Sequence, residues 1–390
     1  MMILVSRRSL LALAALQAMA ARQKSRAKPI RSTNGPRINS RHFPTLQEAA
    51  NAAAGGQLTI TGTNRIESPI ILDNDTEIRF DTQATIQTST PDISFFYARG
   101  KTNISVSGGV FKQLRPGQKA YVAGIRLDNC RSCTVEDNRF EGMQWAGILL
   151  DGTTNSKIAG NWIVSSADSA AGDKFDIVLY RSHRNIIVNN RCLGGQHGGI
   201  LIQDPLGSGF NVPSRNRIAG NVVGSAQVAM KAYGIVLYLG GSNPTFHQIV
   251  GNRVENVKGD PQTQLATGTG IYCVGSGIGG LTVRDNIVRN ACQRTTLATN
   301  GPAGITIADV RSVQYRPVVA NNWVLGMSQA HGILLVSSPG GAMVQRNTIH
   351  MPSSNNGTGP GGIALAGNGI RIFNCSNAVI SDNNVTHDGT

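Results

Sequence analysis

The sequence predicts an all-β fold: a single-stranded right-handed parallel β-helix, a solenoid of about ten or more coils with a short N-terminal capping helix. Three observations predict it. First, a phrase that opens Gly-Ile-x-Leu and closes apolar-x-x-Asn-x-apolar keeps returning. Gly124 leads to Asn138, Gly147 to Asn161 and Asp176-Ile177-Val178-Leu179 to Asn190, each 14 residues on. It recurs at Gly199, Gly234, Gly270, Gly304, Gly332 and Gly369, answered by Asn221, Asn252, Asn286, Asn322, Asn347 and Asn383. Second, each apolar run is too short for a helix, rich in Ile, Val and Leu, and bounded by Gly, Asn or Asp. Third, successive Gly-Ile phrases lie 23, 35 or 36 residues apart at Gly124–Gly147, Gly199–Gly234 and Gly234–Gly270. A constant core with turns of variable length gives that pattern, because loops accept insertions while the stack keeps register.

In chain order, residues 1–21 carry Ser6-Arg7-Arg8-Ser9-Leu10-Leu11, an Ala/Leu run and the small residues Ala18-Met19-Ala20. This is the pattern of a secretory signal, and the paired arginines resemble a twin-arginine export signal. A periplasmic or secreted location is expected. The apolar run is too short to span a bilayer, and no other segment is apolar enough, so no membrane span is expected. Residues 22–41, with Arg22, Lys24, Arg26, Lys28 and Arg31, read as a basic disordered linker. Residues 42–390 read as the β-helix domain.

Thr45 and Glu48 form a capping box ahead of an Ala-rich run, which predicts a short helix covering the open end of the first coil. Gln57–Thr61, Pro69–Leu72, Thr76–Phe80 and Ala84–Thr88 read as the first, less regular coils. Within each phrase, glycine lets the chain turn a corner without a Cβ clash. The repeated asparagine fits a tight, left-handed bend and can bond its equivalent one coil up. The winding is expected right-handed, as parallel crossovers are. The sequence ends at Asp388-Gly389-Thr390, just past a repeat, with no capping helix. Either a second chain covers that coil, giving an oligomer, or the sequence is truncated.

The formal net charge of +14 invites a nucleic-acid reading, but its distribution argues against one. Residues 1–41 hold nine Lys/Arg and no acid, leaving 27 basic and 22 acidic residues in the body. No nucleic-acid partner is expected. Cys130 and Cys133 form a lone C-x-x-C with no second pair at zinc spacing. Cys192, Cys273, Cys292 and Cys375 fall in or beside strands and read as small core hydrophobes. Export would allow the first pair to oxidise.

The Gly-Ile-x-Leu strands and Asn turns resemble the pectin-lyase-like right-handed β-helix superfamily over about residues 57–390. The resemblance implies a groove on one strand face. There most members cleave or epimerise acidic polysaccharides, and others are non-catalytic. A narrower patch, Asp173-Lys174-Phe175-Asp176 followed by Gly195-Gln196-His197-Gly198-Gly199, is similar to the polygalacturonase-type glycoside hydrolases. In those enzymes a paired Asp-Asp opens one strand and Gly-His-Gly opens the strand one coil later. The resemblance makes Asp176 the second aspartate and His197 the histidine. The first aspartate is replaced by Phe175, and only Asp151-Gly152-Thr153-Thr154-Asn155 loosely matches the family's Asn-Thr-Asp motif. The Arg-Ile-Lys motif is missing, with Met230-Lys231 nearby. Hydrolysis requires two carboxyls flanking the bond, and one is present.

Register supplies an independent argument. Two places before each phrase's head stand Trp145, Lys174, His197 and Ala232, and three before stand Gln144, Asp173, Gln196 and Lys231. Four places after stand Asp128, Asp151, Tyr180, Gln203 and Tyr238, and five after stand Asn129, Arg181 and Asp204. Coils about 4.8 Å apart would make these neighbours. A lyase or epimerase takes a proton alpha to a uronate carboxyl and neutralises that carboxyl with a cation. Asp176, His197, Lys174 and Arg181 are the catalytic candidates. Trp145, Asp151, Tyr180, Gln203, Asp204, Lys231 and Tyr238 are the substrate-binding candidates. No protein metal site is expected. Ca²⁺ is the one candidate cofactor, with Asp128, Asp151 and Asp204 as oxygen donors but no recognisable ligand loop. Two functions follow: an exported enzyme, hydrolase or lyase, that cleaves a polysaccharide along the groove, or a non-catalytic polysaccharide-binding or envelope scaffold.

Overall fold

The computed structural model describes residues 35–115, 117, 119–165, 174–193, 197–204, 212–225, 232–241, 243–259, 268–292, 303–327, 330–351 and 369–387. The expected signal segment lies outside them. Among these residues, strands stack into three long parallel sheets of 13, 11 and 12 strands, which we call sheets A, C and B. Each coil visits C, then A, then B: Ala146–Asp151, Lys157–Ala159 and Trp162–Ser165 are one circuit. The chain is a right-handed parallel β-helix, as the repeat predicted.

Three inward columns make the core. Ile125, Ile148, Ile177 and Ile200 stack from sheet C. Val135, Ile158, Ile187 and Ile218 stack from sheet A, and Phe140, Ile163, Cys192 and Val223 from sheet B. All are buried. Each such aliphatic side chain contributes roughly 1.5–3 kcal/mol, and none is covered until the next coil arrives. Burial therefore selects stacking, and β-branched residues suit the pleat.

The repeated asparagines run as a buried ladder. Asn161 Nδ2 donates to Asn190 Oδ1 at 2.9 Å, Asn190 to Asn221 at 3.0 Å and Asn221 to Asn252 at 2.9 Å. Each Nδ2 also reaches a main-chain carbonyl of the coil on its other side, as Asn221 does to Ile187 at 3.0 Å. The left-handed residue is not this asparagine but the one before it: Asp137 (φ 54°), Asn189 (φ 56°) and Asn321 (φ 54°). The asparagine itself turns inward to the ladder.

Helix α1, Leu46–Ala52, starts at the predicted cap, with Thr45 Oγ1 accepting from Glu48 N at 3.2 Å. It buries Leu46, Ala49 and Ala50. Gln47 then stands in for a strand: its Oε1 accepts from Ile71 N at 2.7 Å and its Nε2 donates to Ile71 O at 3.1 Å. The edge of sheet C is thereby paired. The linker expected to residue 41 ends earlier. Arg37–Asn39 is a strand in register with Gln57–Thr59, and Ile38 packs on the core while its polar neighbours face outward. At the other end, Ile372, Ile380 and Val385 continue core columns yet are 45, 40 and 39 % exposed.

Candidate functional site

The glycine at the head of each phrase is set by crowding. A Cβ on Gly147 would meet Ile163 Cγ2 at 2.7 Å, and one on Gly199 would meet Val223 Cγ1 at 2.3 Å. This position therefore faces the interior of the coil. Asp176 occupies it and is fully buried. The facing sheet B position in its coil is Cys192, a smaller side chain than isoleucine. Burial, then the Asp176 charge, raises the Cys192 thiol well above its ordinary range. The carboxyl expected to act on a substrate in the groove thus lies inside the solenoid, a correction to the polygalacturonase-type alignment.

The outward face of sheet C carries the other candidates. Lys174, His197 and Ala232 of the expected column stack: His197 N donates to Lys174 O at 3.0 Å and Tyr233 N to His197 O at 2.7 Å. Lys174 is 1 % exposed, which removes it as an accessible base. His197 is half-buried, with its ring 6.2 Å from that of Phe175. Gln144 is structural. Its Oε1 accepts from Asp92 N and Gly117 N, and its Nε2 donates to Asp92 Oδ1 and Lys119 O. Lys231, Asp173 and Gln196 lie outside the described residues.

The second predicted column also forms: Asp128, Asp151, Tyr180, Gln203 and Tyr238 are paired in register. Arg181 grips Asp151 bidentately, Nη2 lying 2.7 and 2.6 Å from the two carboxylate oxygens. That bond is the main cause of its raised pKa. Arg126 holds Asp128 the same way, and Tyr97 donates to the same carboxylate at 3.1 Å. Arg181 is therefore an ion-paired cation. Asp204 is buried.

Sequence reasoning did not anticipate how these rings pack. Trp145 and Tyr180 are buried, 6.0 Å apart, beneath the exposed ring of Tyr121, so they form a floor rather than a stacking surface. Leu149, Val178, Leu201 and Val236 extend that floor. Farther along this face Tyr121 and Tyr238 are exposed, and Tyr233 and Tyr272, stacked at 5.4 Å, are half-buried. Tyr233 stands directly before Gly234, the position of Ala146 and Phe175 in earlier coils, which was the available signal.

The donor set does not suit a bound ion. Among the described residues, no three His, Cys, Asp or Glu side chains converge. Asp128 and Asp151 are already neutralised by arginines. Cys192, Cys273 and Cys292 are buried singly as free thiols. Cys130 and Cys133 share one buried turn, where a hydrogen bond between the thiols lowers the pKa of Cys130 and raises that of Cys133. His247 is spent on the backbone, accepting from Asn216 N at 3.2 Å and bonding Pro213 O at 2.9 Å.

Solved structures share the fold at low identity. The A-module of mannuronan C-5 epimerase AlgE4 of Azotobacter vinelandii is 12 % identical, with 91 % of this chain and 100 % of that one covered and a TM-score of 0.54. An exopolygalacturonase of Thermotoga maritima is 12 % identical, with 94 and 96 % covered and a TM-score of 0.55. A tailspike protein of E. coli bacteriophage HK620 is 12 % identical, with 91 and 64 % covered and a TM-score of 0.60. Identities this low carry the fold alone. No curated protein matches the sequence. The family described as periplasmic copper-binding protein (NosD) matches residues 50–259, more than half of the length, and the chain belongs to that family.

Proposed function

We propose that this protein is an exported, non-catalytic β-helix that binds polysaccharide along the outer face of sheet C. One observation carries the reading. Accessible tyrosines, Tyr233 and Tyr238 at the two ends of one strand and Tyr272 on the next coil stacked against Tyr233, lie along a packed apolar floor. Rings so placed present apolar faces for sugars, while Gln203, Asp151 and Arg181 border them with hydrogen-bonding groups. A rigid sheet holds these groups without an ordering cost on binding. The polysaccharide-acting proteins that share the fold are in keeping with this ligand class.

The catalytic alternative, hydrolase or lyase, needs an accessible acid–base pair. Burial of Asp176 and Lys174 and the pairing of Arg181 leave His197 as the one accessible candidate of that set. Export to the periplasm is supported by the leader pattern and by the family's description. Copper, which that description attaches to the family, prefers Cys, His and Met donors. Among the described residues no three His, Cys, Asp or Glu side chains converge, and no role is assigned to copper. Self-association through the exposed apolar side chains of Ile372, Ile380 and Val385 is a further part of the proposal, checked by light scattering.

Calorimetry with polyuronates and neutral glucans tests the reading. Saturable binding without new reducing ends or unsaturated product is expected, weakened about tenfold by Tyr233→Ala with Tyr272→Ala. Turnover abolished by His197→Ala would replace it with the enzyme reading.

A further inference from the structure

A different face carries a second feature. Between sheets C and A these coils carry a left-handed residue two places before the sheet A strand. Down the stack that position holds Asp75, Asn103, Ser132 and Asn155, and later Gly280. Asp, Asn and Gly are the residues that adopt this backbone most readily. On three successive coils it holds instead Arg184 (φ 55°), Arg215 (φ 53°) and Phe246 (φ 53°). Bulky side chains here are strained, and strain kept on consecutive coils is a mark of use.

Two positions on, sheet A adds a parallel row, Ile186, Arg217 and Gln248, paired in register. The two rows line an open groove of about 510 Å³. Arg215 lies over the Phe246 ring at 5.6 Å, and Tyr315 props that ring edge-on at 5.4 Å. Arg217 Nη1 reaches Gln248 Oε1 at 3.5 Å. Three guanidiniums thus stand on two adjacent coils, Arg184 on one and Arg215 with Arg217 on the next, and among the described residues none of them has a carboxylate within ion-pair distance. On the coil before, Lys157 is paired with Glu136. Ile186 and Phe246 keep 45 and 37 % of their surface exposed.

We propose that this groove is a binding site for an acidic, uronate-type oligosaccharide. Arginine receives a carboxylate with two parallel bonds, and an exposed ring and an isoleucine receive the C–H face of a pyranose. Coils repeat about every 4.8 Å, close to the length of one sugar unit, so one carboxylate meets Arg184 and the next meets the Arg215–Arg217 pair. A nucleic acid fits less well. It needs a broad basic face, and beyond residue 41 the chain has only 27 basic residues to 22 acidic.

The site is separate from the face of sheet C and is tested separately. The full-length protein is titrated with an oligogalacturonate, a neutral malto-oligosaccharide and single-stranded DNA of equal charge. Three proteins are compared: wild type, Arg215→Gln/Arg217→Gln, and Tyr233→Ala/Tyr272→Ala. Oligogalacturonate is expected to bind in a salt-sensitive manner, and the arginine variant to lose about tenfold in affinity while the tyrosine variant keeps this component. Arg184→Gln replaces the double variant if circular dichroism shows that the latter is unfolded. Absence of oligogalacturonate binding, equal binding by the arginine variant, or tighter binding of DNA than of oligogalacturonate would each overturn the proposal.

Discussion

Asp176 and Cys192 face each other inside one coil, at positions that the coils on either side fill with Gly147 against Ile163 and Gly199 against Val223. The interior has a fixed width, so a larger side chain on one strand demands a smaller one opposite. Gly199→Ala would put a Cβ 2.3 Å from Val223 Cγ1 and 3.1 Å from Gly234 O. It is expected to cost about 2 kcal/mol in urea unfolding. With Val223→Ala added, the loss should be smaller than the sum of the two single losses, a coupling that follows from shared space. Strict additivity would sink the argument.

The same geometry separates Asp176 from ligand binding. Asp176→Asn keeps the shape of the side chain and replaces its carboxylate with a neutral amide, inside the solenoid. Affinity for any polysaccharide held on sheet C is expected to stay within about twofold of wild type. A large loss of binding or activity in a folded Asp176→Asn protein would return this residue to the functional site.

The asparagine ladder makes a graded stability prediction. Asn221 accepts from Asn190 N at 2.9 Å and Nδ2 at 3.0 Å, and donates to Ile187 O and Asn252 Oδ1. Asn221→Ala strands several buried polar groups and is expected to cost about 3 kcal/mol. Asn383 sits at the end, half-buried, and donates to Val344 O at 2.9 Å. Asn383→Ala should cost about 1 kcal/mol, because water reaches what it leaves behind. Urea midpoints of the two variants check the order.

Much of this was legible in the sequence because each coil repeats the same physical problem. The spacing of Gly147 to Asn161 placed both strands and ladder, and the capping box at Thr45 placed the helix. The column through Asp151 and the Lys174–His197 step also follow the expected register. Burial was not legible. Strict alternation breaks at the phrase-head glycine, which turns Asp176 inward beside strand residues that alternate normally. Trp145, Lys174 and Tyr180 are buried by neighbours far along the chain, which no local pattern reports. The Arg184–Arg215–Phe246 row escaped notice because its members are 31 residues apart and only the turn geometry unites them.

His247 continues a second internal ladder, in which Asn185 N donates to Asn216 Oδ1 and Asn216 N to His247 Nδ1. Burial lowers its pKa to about 4. An unfolded histidine titrates near 6.5. Above about pH 6.5 both states are neutral, and this group leaves stability unchanged. Between about 6.5 and 4 the unfolded chain takes a proton that the folded chain refuses. Stability should therefore fall by about 1.4 kcal/mol per pH unit, reaching a loss of about 3 kcal/mol near pH 4. His331, also lowered to about 4 by burial and then by Arg371, adds a slope of the same sign. His247→Asn places at this rung the residue type of the two before it and should remove its share of the slope. Urea midpoints between pH 7 and 4 that fall in parallel for wild type and His247→Asn would show that this imidazole is not the sensor.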